Sequence, residues 1–195
     1  QIVDGALAYM GFQADAATYT IPGLTAGAAE TIMRFGSREL QEMYIPKLVS
    51  SNPKDAFTGA MVLTEPQAGS DVGAIKASAK REGNKYRISG EKIFITNADA
   101  DVLIVLARIE GAKEGTNGLS LFLVPKYLED GRRNSVYITR LEKKMGLHAS
   151  PTGALTFEGA EGYLIGEENK GFPDMLYLMN RSRLGVGTQG LGIAK

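Results

Sequence analysis

The chain has 195 residues, and its 22 Lys and Arg balance 22 Asp and Glu, so the formal net charge is zero. Such a balance gives no electrostatic footprint for nucleic acid or an anionic membrane. The absence of cysteine and the presence of a single histidine exclude disulfides, thiol nucleophiles and most zinc sites. No apolar run is long enough to span a bilayer. We therefore expect a cytoplasmic globular protein with no nucleic-acid partner and no membrane span.

Residues 1–54 carry a helical pattern and form the first predicted unit. Pro22 and Gly23 predict a break between two helices, and Ser37 is a good N-cap for the next helix. The chain begins at Gln1 inside a helical pattern and ends at Lys195 without a stop signal. We therefore expect a segment of a longer polypeptide.

A period of two residues replaces the helical pattern from about Phe57 onward. Short runs rich in β-branched and aromatic residues predict about eight strands: FTGAMVL, AIKASAK, NKYRISG, EKIFITN, DVLIVLARI, LSLFLV, NSVYITR and GALTFEG. Their number predicts an antiparallel β-barrel or sandwich, which we assign to residues 55–166. Residues 167–195 return to a helical pattern, with Pro173 suited to a first turn. The predicted class is α+β.

Two of these runs end in a threonine, Thr64 after GAMVL and Thr96 after KIFI. Residues two apart in a strand share a face, so Phe94 and Thr96 are expected to point the same way. An aromatic plane beside a hydroxyl can stack on a flat ring and hydrogen-bond to its edge. Beyond Thr64, the turn through Gly69 and Ser70 offers small residues whose N–H groups can approach a phosphate.

The same residues have a simpler interpretation. Phe and Thr two apart are common in strands, and a turn with Pro and Gly-Ser-Asp is usually only a turn. The segment is neither a P-loop, since no Gly-Lys-Ser/Thr follows, nor a G-x-G-x-x-G turn. We interpret Glu65, which directly follows Thr64, as a turn or cap partner rather than a general base. The single histidine, His148, is interpreted as a surface or interface residue.

Four stretches resemble the acyl-CoA dehydrogenase family in this order: MVLTEPQAGSDVG, EKIFITNA, KKMGLHASPT and GEENKGF. The resemblance extends over essentially the whole chain, and T-E-P-x-A-G-S-D with a later I-T-N is its most specific part. It implies the end of an N-terminal helical domain (1–54), a middle β-barrel domain (55–166) and the first helix of a C-terminal helical domain (167–195). The chain looks most similar to a branch of long bacterial members that includes 3-(methylthio)propanoyl-CoA dehydrogenases.

The resemblance implies FAD as the cofactor, bound between the β-domain and the C-terminal helices. The implied cofactor-binding residues are Met61, Leu63, Thr64, Gly69, Ser70, Phe94, Ile95 and Thr96. Phe94 stands where many members have a tryptophan packed against the isoalloxazine, and Thr96 stands where a hydroxyl bonds near flavin N5. The implied substrate-binding residues are Ser70, Asn180 and Arg183, but Asn180 stands where many relatives have an aspartate that bonds the CoA arm.

The implied reaction is oxidation of an acyl-CoA thioester to the 2,3-enoyl-CoA, with hydride transfer to flavin N5. A carboxylate base removes the α-proton. In most members this base is a glutamate late in the C-terminal bundle, so we expect it beyond Lys195 and expect the segment alone to be inactive. Electron-transfer flavoprotein is the implied electron acceptor, and a homodimer or homotetramer is the implied assembly.

Two alternatives stay open at this stage. A flavoprotein of the same fold can be an acyl-CoA oxidase, a flavin monooxygenase or an alkylation-response flavoprotein. A non-catalytic β-module that mediates assembly would share the strands and would not retain FAD. The acyl chain length cannot be predicted, because the pocket is built largely by helices outside this segment.

Overall fold

Helices flank a β-barrel in the computed structural model, which describes residues 2–194. Helix α1 spans Ile2–Phe35, α2 spans Arg38–Leu48, and α3 spans Gly171–Ile193. The predicted domain limits after residues 54 and 166 fall in the connections that precede the first strand and follow the last one. The division into domains itself stays a prediction.

The break in α1 lies at Asp15, where the backbone is extended (φ −156°, ψ 98°). The Asp15 carboxylate accepts hydrogen bonds from the N–H groups of Ala17 and Thr18 and from the Thr18 hydroxyl. These bonds cap the second half of the helix, which then continues through Pro22. The predicted break at Pro22 and Gly23 was therefore wrong, because a side-chain cap earlier in the chain decides where the helix restarts.

Helix α2 begins as the sequence predicts. The Ser37 side chain accepts a hydrogen bond from the N–H of Leu40 at 3.3 Å. The helix runs through Pro46 and ends at Leu48. The N-cap prediction is confirmed.

Within residues 2–194 the chain forms seven strands: β1 (Gly59–Val62), β2 (Ser78–Glu82), β3 (Lys85–Thr96), β4 (Val102–Ile109), β5 (Leu119–Pro125), β6 (Val136–Leu141) and β7 (Thr152–Ile165). Two predicted runs, NKYRISG and EKIFITN, are one continuous strand, β3. Gly90 joins them with φ 142°, and a Cβ there would lie 2.8 Å from the Cα of Ala77. The glycine marks a close crossing of two backbones rather than the end of a strand.

Five strands close into a barrel in the order β4-β2-β3-β7-β5, and pairing of β5 with β4 completes the ring. Strand β1 adds to β4, and β6 adds to the outside of β7. The pairings β1–β4 and β2–β4 are parallel and the others are antiparallel. The predicted barrel flanked by helices is confirmed. Its pairing is mixed, because no hairpin connects β4 to β1 or β2 and alternation alone does not encode strand direction.

The core fills the barrel and continues under the helices. All seven residues of β5 are buried, and so are the first six of β4. Helix α3 inserts Met175 and Leu178 into this core, while α1 packs Ala28 against Gly59 of β1. No helix among the described residues is both long and apolar enough to cross a membrane.

Candidate functional site

The segment that follows β1 and the end of β3 are joined at Thr64. The Thr64 carbonyl accepts a hydrogen bond from the N–H of Ile93 at 2.9 Å. Because Phe94 follows Ile93 directly, this bond brings Thr64 beside Phe94. Thr64 and Phe94, both singled out in the sequence, therefore lie next to each other in the fold.

Phe94 has an unusual backbone for an aromatic residue. Its φ is 57°, in the left-handed region, and the register of β3 against β7 shifts between Lys92 and Ile95. A non-glycine residue in this region costs about 1–2 kcal/mol. The ring is nonetheless 60% exposed. Strain held together with exposure of a large apolar ring is typical of a functional position.

The hydroxyls of Thr64 and Thr96 have no protein partner among the described residues. Within residues 2–194, neither Thr64 nor Thr96 makes a side-chain hydrogen bond, and both residues are half-buried. Ile95, between Phe94 and Thr96, is buried in the barrel. The burial thus alternates through these three residues, which leaves Phe94 and Thr96 on the side away from the core.

A buried ion pair lies directly behind these residues. The Lys92 ammonium contacts Glu65 Oε1 at 2.8 Å, and both residues are almost inaccessible, at 0% and 3% exposure. Lys92 Nζ also donates to the carbonyl oxygens of Leu63 at 3.0 Å and Leu106 at 2.7 Å. The ammonium therefore has three acceptors, as many as it has protons.

The Glu65 carboxylate is equally well satisfied. Its oxygens accept from the N–H of Lys76 at 2.8 Å, the N–H of Ala77 at 3.0 Å and the side-chain amide of Gln67 at 2.5 Å. Because every oxygen is bonded inside the fold, Glu65 is not placed as a general base. Its interpretation as a turn partner is confirmed, and its ion pair with Lys92 was not predicted.

Burial and charge act in opposite directions on this pair. Burial opposes ionisation of Glu65, but the charge of Lys92 and the hydrogen bonds from Lys92, Lys76 and Ala77 leave the pKa of Glu65 below its ordinary value. Burial lowers the pKa of Lys92 to about 8, against the attraction of Glu65. Both groups are therefore charged at neutral pH.

The turn after Thr64 is closed by backbone bonds between Glu65 and Ala68, each 3.1 Å long. Gly69 and Ser70 follow on the surface. Their placement leaves this part of the turn accessible, as a ligand-binding turn requires. The exposed position of His148 agrees with the surface interpretation of that residue.

A cavity of about 250 Å³ lies between β1 and α3. It is lined by Met61, Met179, Ser182, Arg183 and Val186. The structure thus brings together Met61 and Arg183, which the family resemblance implies as cofactor-binding and substrate-binding residues. Asn180 does not line the cavity but accepts a 2.7 Å hydrogen bond from Arg183 Nη1.

Sequence reasoning missed three residues of this region. Met179 and Val186 were not named as site residues, although both line the cavity. Lys92 was not considered, although a signal existed. In β3 the buried residues Tyr86 and Ile88 alternate with exposed ones, and Lys92 continues their phase; the register shift that follows Lys92 moves the inward phase to Ile95.

Residues 60–160 match the family described as acyl-CoA dehydrogenase, middle domain. The chain belongs to the acyl-CoA dehydrogenase family. The family resemblance noted in the sequence is confirmed.

Relatives in this family are considerably longer than this chain. The chain is 42% identical over 185 residues to 3-methylmercaptopropionyl-CoA dehydrogenase of Ruegeria pomeroyi, a match that covers 89% of this chain and 31% of that protein. It is also similar to butyryl-CoA dehydrogenase from Megasphaera elsdenii (TM-score 0.85, 30% identity, 96% of this chain and 48% of that one). Caenorhabditis elegans ACDH-11, solved in complex with C11-CoA, gives a TM-score of 0.82 at 32% identity, covering 89% of this chain and 31% of that one. The chain therefore spans less than half of each relative.

Proposed function

We propose that the chain supplies the cofactor-lining part of a flavin-dependent acyl-CoA dehydrogenase, which oxidises an acyl-CoA thioester to the 2,3-enoyl-CoA. The observation that carries this proposal is the exposed Phe94 ring, held in a left-handed backbone beside Thr64. A fold that needed only a strand at this position would gain nothing from the strained, exposed ring. Membership in the family supports the same reaction.

The residues present fit an FAD molecule in three respects. A flavin needs an apolar plane for its ring, and Phe94 exposes one. Its polar edge needs hydrogen-bond donors and acceptors, and the Thr64 and Thr96 hydroxyls make no hydrogen bond to any described residue. Its phosphates need a turn with small residues, and Gly69 and Ser70 are exposed.

We assign the following residues to FAD: Met61, Leu63, Thr64, Gly69, Ser70, Phe94, Ile95 and Thr96. Leu63 and Ile95 have buried side chains, so they would contribute through the main chain. FAD, when bound, supplies the acceptor for the hydride that leaves the β-carbon of the substrate. The residues of this chain bind and orient the reacting groups and exclude water from them.

We assign Ser70, Asn180 and Arg183 to the acyl-CoA. Arg183 places a permanent positive charge at the rim of a cavity whose other walls include Met61 and Met179. An apolar cavity with one cation suits a thioester that joins an apolar chain to an anionic CoA arm. The residue before Arg183 is Ser182, whose hydroxyl is too weak a base to remove the α-proton. We propose that the base is a carboxylate outside residues 2–194.

We propose electron-transfer flavoprotein as the electron acceptor and a homodimer or homotetramer as the working assembly. Both follow from the family resemblance. Helix α3 exposes three large apolar side chains: Leu184, Leu191 and Ile193. Their exposure supports the proposal that this helix packs against further parts of the assembly.

Anaerobic reduction tests the proposal. The protein that carries this chain is purified with its flavin and mixed with a series of acyl-CoA thioesters of increasing length. At least one should bleach the oxidised flavin absorbance and yield the 2,3-enoyl-CoA. A flavin that stays oxidised with every thioester would overturn the proposed reaction, and rapid peroxide formation in air without an acceptor would favour an oxidase.

A further inference from the structure

The buried pair formed by Glu65 and Lys92 lies between the two segments assigned to the flavin. Lys92 bonds to Leu63 and Glu65, the residues on either side of Thr64. It also precedes Phe94 by two residues, at the start of the register shift in β3. One ammonium group therefore links the backbone around Thr64 to the bulge that turns Phe94 outward.

We propose that Glu65 and Lys92 are positioning residues for the flavin site. On this view, which rests on the function proposed above, they contact neither flavin nor substrate and instead hold Thr64, Phe94 and Thr96 in one fixed arrangement. Their removal should weaken flavin binding more than it weakens the fold.

The placement of Lys92 in the barrel supports this role. Strand β4 pairs with β1 through Val105 and with β2 from Arg108 onward. Leu106 lies in the gap between these partners, and its carbonyl accepts the 2.7 Å bond from Lys92. The Lys92 ammonium takes the place of a missing inter-strand hydrogen bond where β1 ends. It thereby fixes where the segment after β1 separates from β4 and continues toward Thr64.

Glu65 adds a second anchor on the other side. Its carboxylate accepts from the N–H groups of Lys76 and Ala77, immediately before β2. The pair thus ties together the end of β1, the approach to β2, the bulge of β3 and the centre of β4. Two of these four segments carry residues assigned to the flavin.

Energetics favour positioning over stabilisation as the reason for this pair. Withdrawing two charges from water costs several kcal/mol each, and an apolar pair of similar volume is often equally or more stable. A bonded ion pair fixes direction as well as distance, whereas an apolar pair does not. Binding sites lose affinity when supporting groups allow a shift of about 1 Å.

The test compares a double substitution with a matched control on the same strand. Glu65→Gln with Lys92→Met keeps the side-chain volumes and removes both charges. Lys85→Met with Glu161→Gln removes the ion pair at the opposite end of β3, whose atoms are 2.6 Å apart. Each protein is stripped of flavin and titrated with FAD, and both the dissociation constant and the absorption spectrum of the bound flavin are recorded. Thermal unfolding of the flavin-free proteins reports on the fold.

The double substitution at Glu65 and Lys92 should raise the dissociation constant for FAD about tenfold or more, the loss typical when groups that orient the binding residues are removed. It should also shift the absorption spectrum of the bound flavin. Its flavin-free form should unfold near the wild-type temperature. The control should leave both flavin readouts unchanged. Wild-type affinity and spectrum in the double variant would overturn the proposal.

A second variant keeps the proposal testable if the double variant does not fold. Glu65→Gln alone preserves the size of the side chain and must still raise the dissociation constant for FAD relative to Glu161→Gln. Equal dissociation constants for these two single variants would overturn the positioning role. Failure of the wild-type protein to bind FAD at all would instead overturn the proposed function, so the two failures are distinguishable.

Discussion

The N–H of Ile93 donates a 2.9 Å hydrogen bond to the carbonyl oxygen of Thr64. This bond joins two segments that are far apart in sequence, one after β1 and one at the end of β3. Lys92 reinforces the same junction from inside the barrel through Leu63 and Glu65. The outward-facing residues of the junction are therefore carried by a buried and bonded frame, which is what a binding site needs for a fixed geometry.

Phe94→Ala should separate flavin binding from stability. The ring is largely exposed, so its removal should change the free energy of unfolding of the flavin-free protein by less than about 0.5 kcal/mol. If the ring stacks on the flavin, the affinity for FAD should fall by about fivefold, since such a contact contributes on the order of 1 kcal/mol. Fluorescence titration with FAD measures the change.

Tyr137→Ala provides the control for the loss of an exposed aromatic ring. Tyr137 is on β6, the strand outside the closed barrel, and is 46% exposed. It should leave the affinity for FAD unchanged. Equal losses of affinity in the two variants would show that the Phe94 ring has no specific contact with the flavin.

Phe94→Gly should be more stable than Phe94→Ala in the flavin-free protein. Glycine adopts the left-handed region without the steric cost that a Cβ brings, so we expect a gain of about 1 kcal/mol in the free energy of unfolding. Urea denaturation of the two variants gives this difference directly. A glycine variant that is less stable than the alanine variant would mean that residue 94 is not held at positive φ in solution.

Much of the fold follows from patterns that are local in the chain. The Ser37 cap, the Pro173 position in the first turn of α3 and the alternation in most strands were readable because short-range rules decide them. The sequence did not predict the break in α1 at Asp15 or the parallel pairing of β1 with β4. They depend on a side-chain bond and on long-range pairing, and neither leaves a periodic signal.

The candidate site divides in the same way. A period of two residues predicts that Phe94 and Thr96 share a face of the strand. Thr64 was selected as a candidate because it ends an apolar run. The burial of Lys92 was missed because a lysine in a strand normally faces water. The prediction also divided β3 into two runs, which obscured that Lys92 is in phase with the buried Tyr86 and Ile88. The cavity beside Arg183 depends on how α3 packs against β1, which sequence spacing does not specify.

Two glycines of α3 should respond in opposite directions to alanine. A Cβ on Gly171 would collide with backbone atoms of Ser120 and Leu121 in the core strand β5, so Gly171→Ala should cost about 3 kcal/mol. Gly187 is exposed and a Cβ there would meet nothing within 4 Å, so Gly187→Ala should gain about 1 kcal/mol of helix stability. Thermal unfolding of both variants tests the packing of α3, and a tolerated Gly171→Ala would contradict it.

The bond between Arg183 and Asn180 should affect substrate binding rather than the fold. Asn180→Ala removes the acceptor that holds the Arg183 guanidinium, whereas Asn180→Asp retains an acceptor at the same position. We expect KM for acyl-CoA to rise about fivefold in the alanine variant, the loss of roughly 1 kcal/mol expected for one hydrogen bond. The aspartate variant should stay close to wild type. An equal KM in all three proteins would separate Asn180 from the substrate site.

The contribution of Glu65 to stability should depend on pH in a defined direction. Since the pKa of Glu65 in the fold lies below its ordinary value of 4.5, the folded state binds fewer protons than the unfolded state in acid. The stabilisation is therefore fully present above 4.5 and is lost as the pH falls through the lowered value. Glu65→Gln removes this titration and leaves Lys92 without its counterion, so it should cost about 3 kcal/mol at neutral pH.

Urea denaturation of wild type and Glu65→Gln from pH 7 down into the acid range measures this difference. The gap between the two proteins should narrow below pH 4.5, because protonated Glu65 no longer balances the charge of Lys92. Glu91→Gln removes an exposed carboxylate from β3, next to Lys92, and serves as the control. It should change the free energy of unfolding by less than about 0.5 kcal/mol. A gap that stays constant through the acid range would mean that Glu65 and Lys92 do not form a buried ion pair in solution, and the positioning role would lose its physical basis.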